Sequence, residues 1–237
     1  MHKNSFKLMS DAVEDVCRDL DVRPISVLDI GSRIVASEKY SYAQIFNESQ
    51  FKYIGADVVE GENVNLILKN PYVWDEVDSN SYDLVLSGQV LEHVPLFWEV
   101  WREMSRVTRP GGFLLIIVPS KGAIHRYPVD CYRFMPDGLR SLADWLGLEV
   151  ISLTFDPGSY WGDVMLVARK PLLSRATAEI RLTNSELEKK IRNIPRVKRI
   201  GQISISVVAI IIGDYIFELI VDKRNAVRKR MSNLFRK

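Results

Sequence analysis

Ser26-Val27-Leu28-Asp29-Ile30-Gly31-Ser32 is the stretch on which the reading of the whole chain turns. Ser26 to Ile30 is short and apolar apart from one acid, and it stops at a glycine. It reads as a buried strand. Gly31 lets the backbone approach a ligand closely. Asp29, beside it, is placed either to accept hydrogen bonds from a ligand or to cap the turn that follows. In open parallel sheets, ligands bind beyond the carboxyl ends of the strands, where strand order reverses. A strand ending in an acid and a glycine is therefore a candidate binding edge.

Working outward, Phe6, Met9, Val13, Val16 and Leu20 recur at helical spacing and predict a helix over residues 5–20. Tyr42 to Phe46 reads as a short helix, and Phe51 to Ala56, Asn63 to Leu68 and Tyr82 to Leu86 as strands. Leu96, Val100, Met104 and Val107 mark a helix, with Glu99–Arg102 and Glu103–Arg106 spaced to pair along it. Arg109-Pro110-Gly111-Gly112 ends that helix, and Phe113 to Val118 follows as an interior strand. Leu139, Leu142 and Leu146 mark a further helix closed by Gly147. Trp98, Trp101 and Trp145 read as packing residues, and Asp83 as the end of a surface turn. The last two strands, Glu149 to Phe155 and Val164 to Ala168, are joined by a link too short for a parallel crossover, so the final one is antiparallel. The predicted class is α/β: a Rossmann-like, mostly parallel seven-stranded sheet with an antiparallel last strand and helices on both faces.

Candidate binding residues follow the strands. Asp57, after the second, is placed to take both hydroxyls of a ribose. Four segments together resemble the class I methyltransferases that use S-adenosylmethionine (SAM): Val27 to Ser32, Tyr53 to Asp57, Ser81 to Ser87 with Val90-Leu91-Glu92-His93-Val94, and Arg106 to Gly112. The resemblance covers about residues 25–170 and is closest to the small-molecule branch. It implies that Asp29, Gly31 and Ser32 hold the amino-acid end of SAM and that Asp57 binds its ribose. Ser87 and Glu92 would lie near the sulfonium. Two positions depart from the family pattern. Arg33 stands where a second glycine is usual, so that either the loop takes another path or SAM binding is impaired. Lys69-Asn70 stands where an acid usually meets adenine.

The stretch Pro119 to Phe134 is a polar loop on the same edge, and it concentrates His125, Arg126, Tyr127, Asp130 and Arg133. Its His–Tyr–Asp–Arg cluster resembles bacterial methyltransferases linked with surface-glycan synthesis. Methyl transfer to a hydroxyl requires alignment of the acceptor and removal of one proton. Imidazole is the side chain suited to that near neutral pH. His125 is the candidate base and Asp130 its orienting partner, with His93 as the other candidate. Arg126, Tyr127 and Arg133 are candidates for binding the acceptor, the arginines by holding a phosphate or carboxylate. The same residues also suit a loop braced by an Asp130–Arg133 pair, with His125 in solvent.

Cys17 and Cys131 are far apart and give neither a disulfide framework nor a zinc spacing, and no metal site is read from the sequence. No leader-like start is apparent, which suits a cytoplasmic protein. Residues 1–169 hold 16 Lys and Arg against 24 Asp and Glu, whereas residues 170–237 hold 16 against 6. Two regions with different work are therefore expected: a catalytic domain over 1–170 and a basic, partly apolar helical extension over 171–237. Asp214 and Glu218 interrupt the apolar run of that extension, which argues against a membrane span. Packing on the domain, self-association and peripheral contact with anionic lipid remain open for it. The acidic body disfavours nucleic acid as a partner. The expected function is methyl transfer from SAM to a small molecule, a hydroxyl of a sugar or a nucleotide- or lipid-linked glycan precursor. The alternative is a non-catalytic methyltransferase-like scaffold at a membrane surface.

Overall fold

The computed structural model describes residues 2–20, 24–35 and 39–172. Among them, α1 (Lys3–Cys17) precedes β1 (Ile25–Ile30), a 3-10 turn (Tyr42–Ile45), β2 (Phe51–Asp57), β3 (Leu66–Ile67) and β4 (Tyr82–Gly88). A second 3-10 turn (Leu91–His93) leads to α2 (Phe97–Val107), β5 (Thr108–Pro119), α3 (Pro136–Trp145), β6 (Glu149–Phe155) and β7 (Asp163–Arg169). The strands form one sheet in the order β3-β2-β1-β4-β5-β7-β6. The first five are parallel, and β7 lies antiparallel to both β5 and β6. The chain moves outward from β1 to β3 and then crosses back to β4, so strand order reverses between β1 and β4.

The alternation of apolar side chains along β5 builds two cores. Phe113, Leu115 and Ile117 pack with Met9, Val13 and Val16 of α1 on one face. Leu114, Ile116 and Val118 pack with Trp101 and Met104 of α2 and Leu139 of α3 on the other. Period two in the strand and period 3.6 in the helices together produce this two-faced sheet. α3 ends where Gly147 takes a positive φ of 66°, with Gly147 N donating to Asp144 O and Leu148 N to Ala143 O, a glycine-closed helix end.

Several expectations are corrected in detail. β3 is only two residues long, because it pairs solely with the last two residues of β2. Among the described residues no helix stands between β2 and β3. Arg109-Pro110-Gly111-Gly112 lies inside β5 as an irregularity, since α2 ends at Val107 and Thr108 already pairs with Tyr82. Trp101 is buried, but Trp98 and Trp145 are 38% and 48% exposed. Asp83 is no surface residue. It is buried, accepts hydrogen bonds from Ser26 N (2.8 Å) and the Ser26 hydroxyl, and pairs with Arg109 at 2.9 Å. It thereby ties the start of β1 to β4 and β5. The 171–237 extension lies outside the described residues apart from Pro171 and Leu172. No helix of the described residues is long and apolar enough to cross a membrane.

Replacing Asp83 with Ala leaves the half-buried Ser26 amide without its partner. The expected loss is about 2 kcal/mol of unfolding free energy, read as a lower urea midpoint with an unchanged slope.

Candidate active site

The carboxyl ends of β1, β2 and β4 open on a cavity of about 830 Å³, within the range of small-molecule sites. Asp29, Gly31, Ser32 and Arg33 line it from β1 and the loop beyond, Asp57 and Val58 from the end of β2, and Gly88, Gln89 and Val90 from the end of β4. Register sets this convergence: Ile30 pairs with Ala56 of β2 and with Ser87 of β4.

Asp29 is buried and accepts a hydrogen bond through Oδ2 from the Tyr53 hydroxyl at 2.7 Å. Asn63 Nδ2 donates to that hydroxyl at 2.9 Å and to the Ser32 carbonyl at 2.9 Å, and the Ser32 hydroxyl donates back to Asn63 O at 3.0 Å. Among the described residues, Asp29 Oδ1 has no such partner. Burial, and to a smaller degree the charge of Asp57, push the Asp29 carboxyl up to about 7 against the lowering effect of the Tyr53 hydrogen bond. Asp57 accepts through Oδ1 from Val59 N at 3.0 Å. The two departures from the family pattern have clear placements. The Arg33 side chain lies over Gly61, where a Cβ would come within 2.7 Å of its Cγ and Cδ, and the cavity stays open. Lys69 faces Glu76 at 3.7 Å, while Leu68, Pro71 and Tyr72 form the wall at that end.

The Pro119–Phe134 loop brings His125, Arg126 and Tyr127 to the cavity wall, beside His93. The loop is tied to the turn after β4, because the Glu92 carbonyl accepts from Cys131 N (2.7 Å) and Tyr132 N (3.2 Å). The His93 and His125 rings meet edge to face with centroids 4.8 Å apart, and Trp161 lies 4.4 Å from His125. His93 Nδ1 contacts Val129 O at 2.7 Å. Burial lowers its pKa below the ordinary imidazole value, which favours the neutral ring. Asp130 accepts from His125 N at 2.8 Å and from Arg133 through both guanidinium nitrogens, and it is held well below the usual carboxylate range by Arg133.

Of the residues singled out from sequence, Asp29, Gly31, Ser32, Asp57, His93, His125, Arg126 and Tyr127 share the cavity wall. Four do not. Ser87 lies beneath the floor with its hydroxyl donated to Ile30 O at 3.1 Å. Asp130 and Arg133 brace the loop from behind. Glu92 is fully buried, with no hydrogen-bond partner for either carboxylate oxygen, and burial pushes its carboxyl up to about 8. Sequence reading missed Tyr53, Asn63 and Trp161. Tyr53 stood within a quoted motif, but only register shows that its hydroxyl reaches Asp29.

Residues 47–116 match a family described as a methyltransferase domain. An uncharacterized methyltransferase of Mycolicibacterium paratuberculosis is 31% identical over 88 residues, which cover 32% of this chain and 33% of that protein. The chain spans a third or less of the length of the first curated relatives it matches. Among solved structures, the 1,6-didemethyltoxoflavin-N1-methyltransferase of Burkholderia thailandensis, with 1,6-didemethyltoxoflavin and S-adenosylhomocysteine bound, superposes with a TM-score of 0.54 at 18% identity, covering 70% of this chain and 78% of that one. The [4+2]-cyclase SpnF superposes at 0.53 and 15% identity, covering 70% and 80%. At these identities the likeness is one of fold.

Because the folded-state pKa of Asp29 lies above its ordinary value of 3.8, its contribution to stability is greatest below that value and is lost as pH rises through about 7. Unfolding midpoints measured from pH 5 to 8 should fall more steeply in the wild type than in Asp29→Asn. Parallel curves would place the titration elsewhere.

Proposed function

We propose that this chain, which carries a domain of the class I methyltransferase fold, uses SAM to methylate a hydroxyl of a small molecule, a sugar or a glycan precursor. One observation carries the reading: two carboxylates at the ends of adjacent parallel strands, Asp29 and Asp57, line a single cavity together with two imidazoles, His93 and His125. The residues fit the cofactor. Asp29 has an oxygen free for an ammonium group, and Asp57 has one free for a ribose hydroxyl. Leu68, Pro71 and Tyr72 offer an apolar and aromatic wall to a planar base. When bound, SAM supplies a methyl group on a positively charged sulfur that is already a good leaving group.

The protein then has two tasks. The first is alignment, which supplies most of the rate in such displacements. Tyr127 and Arg126 stand at the mouth of the cavity near the imidazoles and suit an acceptor with hydroxyls and an anionic group. The second is proton removal. With SAM bound as methyl donor, the hydroxyl proton of the acceptor would pass to an imidazole. His125 takes it when nothing else occupies the histidine pair, and His93 stands beside it. Asp130 holds the loop that carries His125 through its backbone amide. The scaffold alternative rests on the glycines missing around Arg33 and on the basic tail; the open cavity weakens the first ground, and the tail lies outside the described residues. The SpnF likeness keeps a different chemistry on this fold in view. The reading extends to a cytoplasmic catalytic domain over 1–170, with the basic 171–237 segment serving attachment to a lipid surface or to a second copy.

Calorimetric titration of the full chain with SAM and S-adenosylhomocysteine tests the cofactor half. Micromolar binding is expected, weakened roughly ten- to a hundredfold in Asp57→Ala, the worth of hydrogen bonds to a charged group. Absence of binding by folded protein sinks the reading. A screen of nucleotide sugars and lipid-linked glycans, followed by mass spectrometry, tests the acceptor. Turnover in His125→Ala should fall about 10²- to 10⁴-fold with cofactor affinity intact.

A further inference from the structure

Glu92, His93 and His125 form a cluster at the acceptor end of the cavity. One oxygen or nitrogen from each lies within 4.8 Å of the others. Glu92 Oε1 is 3.7 Å from His93 Nε2. These gaps are too wide for hydrogen bonds, and both oxygens of the wholly buried Glu92 lack partners. The spacing instead suits a shared cation. Two ligands each about 2.0–2.2 Å from one ion stand roughly 3–3.5 Å apart at ordinary coordination angles, so the widest gap would have to close by roughly 1.5 Å, a shift shared between side chains of which His125 lies on a partly exposed loop.

The imidazoles are already set for this. A carbonyl oxygen only accepts, so the contacts His93 Nδ1 to Val129 O (2.7 Å) and His125 Nδ1 to Ala123 O (3.2 Å) place hydrogen on Nδ1. Each Nε2 then carries the lone pair that a metal needs, and a hydrogen-bonded opposite nitrogen is the usual support of a ligating histidine. Arg133, the nearby cation, is spent on Asp130. Once Glu92 is ionised, as cation binding requires, it carries the one negative charge that the Asp130–Arg133 pair leaves uncompensated.

We propose that Glu92, His93 and His125 bind one divalent first-row transition ion, with its open positions facing the cavity. Two imidazoles and one carboxylate favour zinc, cobalt, iron or manganese over magnesium or calcium. The site stands on its own geometry. Its use rests on the methyl-transfer reading: an acceptor hydroxyl coordinated to the ion would lose its proton to solvent more readily, and His125 would then be a ligand rather than the base.

The full chain, stripped with a chelator, is titrated with cobalt(II) by visible absorption and with zinc by calorimetry. One equivalent should bind with the d–d bands of a nitrogen- and oxygen-ligated cobalt. Affinity should drop at least about tenfold in His125→Ala and in Glu92→Gln, and should persist in Cys131→Ser. Circular dichroism checks each fold. Should Glu92→Gln fail to fold, His125→Ala decides, since it lies on a partly exposed loop. No binding by folded wild type, unchanged affinity in His125→Ala, or loss in Cys131→Ser overturns the site. Cobalt binding by a chain that ignores S-adenosylhomocysteine keeps the metal site and discards the methyl-transfer reading.

Discussion

The parallel pairing of β1 between β2 and β4 is the constraint on which the rest depends. Ile30 faces Ala56 on one side and Ser87 on the other, so the strands finish at one level and their following residues emerge together. A slip of one residue would turn Asp29 to the other face of the sheet and separate it from Tyr53. The edge is closed by Gly31 N and Ser32 N, both donating to Ala56 O. Glycine is needed here for packing as well as for φ. A Cβ on Gly31, whose φ is 76°, would sit 2.3 Å from Val90 Cγ2, and one on Gly88 would sit 2.0 Å from the Tyr42 hydroxyl. These close approaches draw the wall of the cavity inward.

That geometry also explains how the chain manages with Arg33 in its glycine loop. The loop after β1 is clasped against the segment after β2: Ile34 N donates to Glu62 O, and Ser32 and Asn63 exchange side-chain-to-backbone hydrogen bonds. The Arg33 stem crosses Gly61, which has no Cβ to obstruct it. The glycine missing from one loop is answered by a glycine in the loop facing it. The long side chain passes over Gly61, and Asp29 still lines the cavity.

Periodicity and turn chemistry in the sequence conveyed the elements well, because the cores on the two faces of the sheet are made of regular apolar alternation. The final hairpin followed from a link too short to cross over. What escaped depends on long-range geometry. Asp83 looked like a turn residue because nothing local shows that Ser26, 57 positions away, turns its amide toward it. Arg109-Pro110-Gly111-Gly112 looked like a break, yet pairing on both sides carries β5 through it. The site was half legible: residues directly after strands were placed by the sheet itself. Tyr53 and Asn63 join through side chains from different segments, and the depth of Glu92 is set by a loop some 40 residues further along the chain.

The buried carboxylates differ in what they ask of their surroundings. Taking an ionised carboxylate out of water costs several kcal/mol unless it is paired or hydrogen-bonded. Asp83 is fully met by Ser26 and Arg109, and it serves the fold. Asp29 is half met by Tyr53 and keeps one oxygen toward the cavity. Glu92 has no side-chain hydrogen-bond partner among the described residues and only His93 at 3.7 Å, while its backbone carbonyl is tied to Cys131 and Tyr132. A glutamine or an apolar residue would fill the position at lower cost. An acid there gains only when a proton, a cation or a ligand group comes to it. The series from Asp83 through Asp29 to Glu92 runs from a carboxylate met on both sides to one with no hydrogen-bond partner, and the least satisfied of them stands beside the two imidazoles.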